Sequence, residues 1–461
     1  MKKQLLCGLM GLLSAQAALG MDLVETYEKA LSYDSGIAAA RSSLEAQEAG
    51  ADITRSELLP QIGAYGDAEH IDVDGPGQDG SYKRYGYGVQ LTQPLFQADA
   101  WFAYDAAQFQ TEAARAEYNL AQQQLILDVA EAYFDVLRAS DNLTTARATE
   151  NAIERQYQQA QERFDVGLIA ITEVYEARAS FDDSTSRRIA AESDLDLARE
   201  QLARLTGEYA EDLENLERDF PLMHPTPDNP DKWEATALEQ NWQIQTAIRE
   251  LQASKANLKE ARAGRYPKVD LNASWGRQQL DGLENPASAS LGGQRDGTTT
   301  EGVIGLSVNM PLYAGGGIQA GIRQQRSAVS LQDEELKTTR RDVKVNTRSL
   351  YRSINTNIET ASALEQTIVS RRSALDATRA GYDVGTRNIV EVLEAEQAYY
   401  VALRDYANAR YDYVVNSLGL KQAAGTLSPQ DIVELNEWLS QDAPGIEALA
   451  NEEEMLEDPT E

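Results

Sequence analysis

Arg163-Phe-Asp-Val-Gly-Leu-Ile-Ala-Ile-Thr-Glu-Val174 and Gly381-Tyr-Asp-Val-Gly-Thr-Arg-Asn-Ile-Val-Glu-Val392 stand 218 residues apart (381 − 163) and share Asp-Val-Gly followed by Ile-x-Glu-Val. Similarity at a fixed spacing marks an internal repeat. At the same spacing Leu202 to Gly207 falls on Leu420 to Gly425. Gln93-Pro-Leu-Phe96 answers to Met310-Pro-Leu-Tyr313 at 217 (310 − 93), and Leu59-Pro-Gln-Ile62 to Tyr266-Pro-Lys-Val269 at 207 (266 − 59). The second copy therefore holds ten more residues (217 − 207) between its two strands, and the chain is one architecture written twice.

Within each copy the hydrophobic period switches from helical to alternating and back, with prolines at the switches because proline interrupts helix hydrogen bonding. Pro60 and Pro94 bracket one predicted hairpin, Pro267 and Pro311 the other. Tyr85, Tyr87, Val89 and Leu91 alternate with Gly86, Gly88 and Gln90, and Val269, Leu271, Ala273 and Trp275 alternate with polar or small residues. Ile304, Leu306, Val308 and Met310 repeat the pattern, whereas the strand from Ile62 is weaker, placing Ala64, Gly66 and Ala68 on one face. Loops at 72–80 and 281–300, rich in Gly, Asp, Ser and Thr, close the two hairpins.

The rest reads mostly as helix. From Gln97 to Asp165 there is neither proline nor glycine, and 318–380 contains only Gly321. At 1.5 Å per residue, a helix of nearly seventy residues spans about 100 Å, far more than a globular domain needs. Shorter helices are predicted at 22–58, 170–206, 234–262 and 388–423; in the last, Ile389, Leu393, Tyr400, Leu403, Ala407, Val414 and Leu418 follow coiled-coil spacing. The domain reading is a first repeat over 21–207, a proline-rich insert at 208–233, a second repeat over 234–425, and a C-terminal segment from 426 to 461. That last segment carries eleven acidic residues and no Lys or Arg, and is expected to be disordered at its acidic end.

Lys2-Lys3, the apolar run from Leu5 to Leu13 and the small residues up to Gly20 form a secretory signal peptide, so residues 1–20 are expected to be removed. The single cysteine, Cys7, lies too early in it for lipid anchoring. His70 and His224 have no ligand-like spacing, so neither a metal nor a cofactor is expected, and a His-based catalytic centre has little support. The charge of −32 (42 − 74) excludes a nucleic-acid partner, whose phosphates require basic faces. No apolar run reaches the ~18 residues of a membrane-spanning helix, so any membrane segment must be strand.

Four amphipathic strands in lipid cannot leave open edges, because unpaired backbone groups there cost several kcal/mol each. One chain cannot close a barrel, since small membrane barrels need about eight strands; two copies would supply eight, and three would supply twelve with room for a lumen. The helices would then continue as a tube on one side.

Gln93-Pro-Leu-Phe96, Pro311-Leu-Tyr313 with Gly315-Gly-Gly317, Gly381-Tyr-Asp-Val-Gly-Thr-Arg387 and Ala409-Arg-Tyr-Asp-Tyr413 resemble the TolC-type outer membrane channels of type I secretion and multidrug efflux, over roughly Met21 to Leu439. The resemblance implies a mostly α fold with membrane β: a homotrimer whose twelve-stranded outer membrane barrel, four strands per chain, continues into a periplasmic twelve-helix tunnel. It implies a girdle built from the proline-rich insert and the C-terminal segment. As partners it implies a periplasmic adaptor protein, an inner-membrane ABC or proton-driven transporter, and outer membrane lipid.

The resemblance also assigns roles. Glu391 and Glu394, one helical turn apart, would form a cation-selecting ring of carboxylates, where an unrelated helix would merely have a solvated face. Other TolC-type channels carry aspartates at these places, so the reach of the ring differs here. Tyr382 would hydrogen-bond Gln156 and Glu173, and Arg387 would engage Thr172 and Glu173, latching the periplasmic end shut; in another helical protein these are a packing aromatic and a surface ion pair. Such bonds contribute on the order of 1 kcal/mol each. Gly167 and Gly385 end helices by adopting left-handed backbone, and by resemblance their turns present grooves to the adaptor. Gly315-Gly-Gly317 lacks the following Lys-Ser/Thr of a phosphate-binding loop and reads as a turn. Tyr85, Tyr87 and Trp275 are candidates for an interfacial aromatic belt. The expectation is a passive, gated exit duct. The rivals are a soluble periplasmic coiled-coil scaffold, and a diffusion porin, which helix dominance disfavours.

Overall fold

In the computed structural model, residues 21–73, 80–210, 212–282, 296–441 and 443 are described. The signal peptide with Cys7, the tips of both hairpin loops and the acidic end from 444 lie outside the described residues. The order of elements is α1 (Leu23–Tyr33), α2 (Ser35–Ser56), β1 (Gln61–Val73), β2 (Gly80–Phe96), α3 (Ala98–Asp165), α4 (Ile171–Thr206), β3 (Asn215–Leu216), α5 (Pro230–Gln240), α6 (Trp242–Ala263), β4 (Lys268–Asp281), β5 (Gly297–Asn309), α7 (Gly317–Asp383), α8 (Ile389–Ala423), α9 (Pro429–Asn436) and β6 (Leu439–Ser440). The long helices have 68 and 67 residues, so each glycine- and proline-poor stretch is one uninterrupted helix.

The compact units cut across the sequence repeats. Among the described residues, one gathers those of 39–119 with those of 242–341, and the other those of 21–38, 120–241 and 342–443. Each unit thus takes matching pieces of both repeats.

The first unit holds a four-stranded antiparallel sheet in the order β1-β2-β4-β5, leaving β1 and β5 as edges. Its register puts Ile62, Leu91, Ala273 and Ile304 in one row across all four strands, and Ala64, Val89, Trp275 and Gly302 in the next row of that face. Tyr87 and Trp275 meet edge to face at 6.3 Å. This face is apolar and open, with Ile304 81% exposed and Ile62 77%. The opposite face is polar: Arg84 pairs with Glu69 and, at 3.9 Å, with Asp67. On the same side Tyr65 lies across Gly88 and Gly276, its register partners, where a Cβ would come within 2.7 Å of the phenol oxygen. Glycine is needed there to seat a ring flat on the sheet.

The strands outrun the predicted alternation at both ends, since pairing continues into the polar residues of the hairpins. Pro94, expected at a strand-to-helix junction, lies inside β2 opposite Asp270, with a register shift before Phe96 pairs with Val269. The β1 partnership ends at Thr92, so beyond it β2 has a free side where proline's missing N–H breaks no ladder. Pro60 and Pro267 immediately precede β1 and β4, and Pro311 follows β5.

The second unit is helical apart from one small sheet. Met21, Val136, Leu143, Leu195 and Leu202 form a cluster joining α3 to α4. Phe134 is fully buried, with ring centroids 5.6 Å from both Tyr133 and Tyr411. β3 of the proline-rich insert pairs with β6 of the C-terminal segment, and Phe220 meets Trp438 edge to face at 5.9 Å. The start of that segment is thus ordered, α9 being held by a capping box between Ser428 and Asp431, whereas the sequence suggested order only by resemblance.

The helices expected over 22–58 and 234–262 are each broken, at Asp34 and at Asn241, positions 207 apart (241 − 34) as the repeat requires. Asp34 accepts from the Ile37 amide at 2.9 Å, and the Asn241 amide group donates to the Ala423 carbonyl at 2.9 Å. Such side chains compete with the helix backbone and favour its ends. In α8 the buried stripe runs through Leu403, Ala407, Val414 and Leu418 as the coiled-coil spacing requires, but nearer the turn it falls on Val392 and Tyr399 while Leu393 and Tyr400 are only half-buried, a one-residue shift confined to the first turns of the helix.

Candidate functional site

Two helix-to-helix turns define the site, both in the helical unit. At the end of α3 the Gly167 amide donates to the Phe164 carbonyl at 2.8 Å and the Leu168 amide to Arg163 at 2.9 Å; at the end of α7 Gly385 donates to Tyr382 at 2.9 Å and Thr386 to Gly381 at 2.8 Å. This paired bonding, with φ of 78° and 76° at the two glycines, is the Schellman ending that glycine permits. The repeat seen in the letters is a repeat of hydrogen bonds. Both turns push apolar side chains into solvent: Val166, Leu168 and Val384 are each at least 70% exposed.

Beside the turns a cavity of about 370 Å³ gathers Gln156, Glu173, Tyr382 and Glu394, four of the residues singled out from sequence. Within the chain they are not bonded as the latch required. The Tyr382 hydroxyl donates to the Gln159 side chain at 3.1 Å, and the Arg163 guanidinium lies 5.5 Å from the centre of its ring. Gln156 sits one turn back along α3 and is buried. A three-residue step along a helix returns to nearly the same face, so Gln159 meets the phenol one turn beyond Gln156. Arg387 bonds Glu391 at 2.5 Å rather than Thr172 or Glu173, both of which are exposed.

Glu391 is therefore engaged twice. It pairs with Arg387, and it joins the cap that Asn388 places on α8: its amide donates to Asn388 Oδ1 at 3.0 Å while its carboxylate accepts from Asn388 Nδ2 at 2.8 Å. The hydrogen bond from Arg387 holds its carboxyl below the usual range. Glu394, one turn on, is exposed. The two acids read as a pair from spacing stand in different surroundings.

Sequence reasoning missed Gln159 and Arg163, and a buried group further up the same helices. Asp141 on α3 accepts from the Tyr411 hydroxyl at 2.8 Å, and burial raises its carboxyl to about 6. Burial likewise pushes the Tyr411 phenol up. The Ala409-Arg-Tyr-Asp-Tyr413 motif was noticed, but nothing in it named a partner 270 residues away.

A sheet with one apolar and one polar face, joined along the chain to paired helices of nearly seventy residues, defines a membrane channel prolonged by helices. Among the described residues no helix is long and apolar enough to cross a membrane. The model of the outer membrane efflux protein family matches residues 26–208 and 233–426, and the chain belongs to that family. It is 36% identical over 388 residues to the outer membrane protein TolC of Escherichia coli, covering 84% of this chain and 78% of that protein. It is 28% identical over 431 residues to the alkaline protease secretion protein AprF of Pseudomonas aeruginosa, covering 91% and 88%. Among solved structures, the CmeC outer membrane channel of Campylobacter jejuni superposes with a TM-score of 0.76 at 17% identity, covering 92% of this chain and 90% of that one. The protein is an outer membrane exit channel of the efflux and secretion type, with its helical tunnel in the periplasm. The periplasmic scaffold is set aside.

Proposed function

We propose that three copies close one twelve-stranded barrel and one helical tunnel, shut at the periplasmic end by the residues around Tyr382 and opened when an adaptor and an inner-membrane transporter dock. The observation that carries this reading is the sheet with two free edges and one face that is apolar over its central rows. The duct performs no covalent chemistry, and the transporter supplies the energy. Docking at the Gly167 and Gly385 turns is supported by the exposed Val166, Leu168 and Val384, which give a partner hairpin an apolar landing. Relatives named for protein secretion and for export of small compounds support a cargo range chosen by the pump.

The carboxylate ring falls chiefly to Glu394, because Glu391 is already paired with Arg387. Single-channel current in planar bilayers tests this. Wild type should give small cation-selective openings that a polyvalent cation on the tunnel side blocks. Glu394→Gln should weaken the block about tenfold or more and Glu391→Gln less, as expected where one of two charges per chain faces the pore. Equal block in wild type and Glu394→Gln would remove the ring and leave the duct.

A further inference from the structure

Glu396 is 8% exposed, on the face of α8 that buries Val392 and Tyr399. A carboxylate so placed requires cations, since an unpaired charge out of water is strongly unfavourable. Two arginines from two other helices provide them. Arg379 of α7 donates from Nη2 to Glu396 Oε1 at 3.3 Å, and Arg155 of α3 brings its Nη2 to 3.8 Å from the same oxygen.

The arginines are not equivalent. Arg379 makes a hydrogen bond and its helix is joined to α8 through the Gly385 turn, so this pair survives any motion that moves α7 and α8 together. Arg155 belongs to the first repeat, its side chain is 69% exposed, and its approach is an ion pair beyond hydrogen-bond range. Separating α3 from α7 and α8 therefore breaks the Arg155 contact while Arg379 keeps the carboxylate compensated. The three residues lie near the turns on three of the four helices that meet there: Arg155 adjoins Gln156, Arg379 precedes Tyr382 by three, and Glu396 follows Glu394 by two.

We propose that Glu396 is a gate-positioning residue, fixed by Arg379 and clasped releasably by Arg155, which holds the first helix pair against the second in the closed channel. The proposal rests on the gated-duct reading but uses none of the latch residues that the resemblance implies.

The test is closed-state conductance of the full-length protein in planar bilayers together with its thermal stability. Arg155→Ala should raise conductance by about twofold or more, as expected when one tie biasing a two-state gate is removed, with an unchanged melting temperature. Arg155→Lys should behave as wild type. In the double variant Arg155→Ala/Glu396→Gln the effects should not add, since both remove one contact. Arg379→Ala should lower the melting temperature instead, because it strands the carboxylate. As a second readout, spin labels at Gln158→Cys on α3 and Ser370→Cys on α7 should report a broader distance distribution when Arg155 is replaced by Ala. Wild-type conductance and distances in Arg155→Ala overturn the clasp while leaving the duct intact. A melting temperature lowered equally by Arg155→Ala and Arg379→Ala, with no change in conductance, reduces the cluster to packing. Wild type that folds but never conducts sinks the duct reading and the clasp with it.

Discussion

At the residue scale the most consequential group outside the turns is Asp141. Burial holds its carboxyl at about 6 against an ordinary value of 3.8, despite the hydrogen bond from Tyr411 and the nearby Arg410, both of which favour ionisation. Between these values the folded chain keeps a proton that the unfolded chain has released. Stability contributed by this site is therefore lost as pH rises from about 4 to about 6, and the penalty is full above that. Asp141→Asn retains an acceptor for Tyr411, so it should raise the melting temperature at pH 8, by up to roughly 3 kcal/mol of stability. The gain should vanish near pH 4; a gain independent of pH would mean that ionisation is not the cause. What sequence could tell about single residues was uneven. Glycines at 167 and 385 were legible because left-handed backbone leaves a compositional trace. Glu396 was not, because Glu394-Ala-Glu396 looks like any solvated helix face, and only the one-residue shift in the first turns of α8 puts its second acid inside.

At the scale of elements the argument is one of faces and breaks. Alternation located all four strands, but it gave their centres rather than their ends, and it misplaced Pro94 because proline at a strand's free side leaves pairing intact. The breaks at Asp34 and Asn241 were invisible for another reason: Asp and Asn are ordinary on helix surfaces, and what stops these helices is what their side chains bond. The faces themselves carry a prediction. Leu306 sits on the apolar face of edge strand β5, opposite Leu271. Leu306→Arg should lower the yield of membrane-inserted protein, by about 2–4 kcal/mol if the position lies at the bilayer midplane. Ser307→Arg, on the polar face, should be tolerated. Floating the two variants with lipid vesicles and comparing the bound fractions checks this; equal binding would mean the faces are assigned backwards.

At the scale of the whole molecule the question is assembly. The sheet ends in β1 and β5, with no further strand beside them among the described residues, so detergent-purified protein should appear by native mass spectrometry as a trimer, at three times the mass of the chain freed of residues 1–20. Cysteines placed at Ala64 of β1 and Ile304 of β5, which share the apolar face, should crosslink between copies and not within one. Monomer, or an eight-stranded dimer, would overturn the stoichiometry. The duplicated sequence has a further meaning here, since in the proposed trimer two hairpins per chain would place six similar units around one axis.

The open edges also have a genetic consequence. A barrel that each chain supplies only in part cannot be rescued by the healthy copies beside a damaged one, because a single arc that fails to pair leaves the ring unclosed. Co-expressed in equal amounts with a folded but edge-defective variant, random mixing would leave only about one assembly in eight wholly wild type. Damage to β1 or β5 should thus be dominant, whereas damage that prevents the chain from folding at all should be recessive.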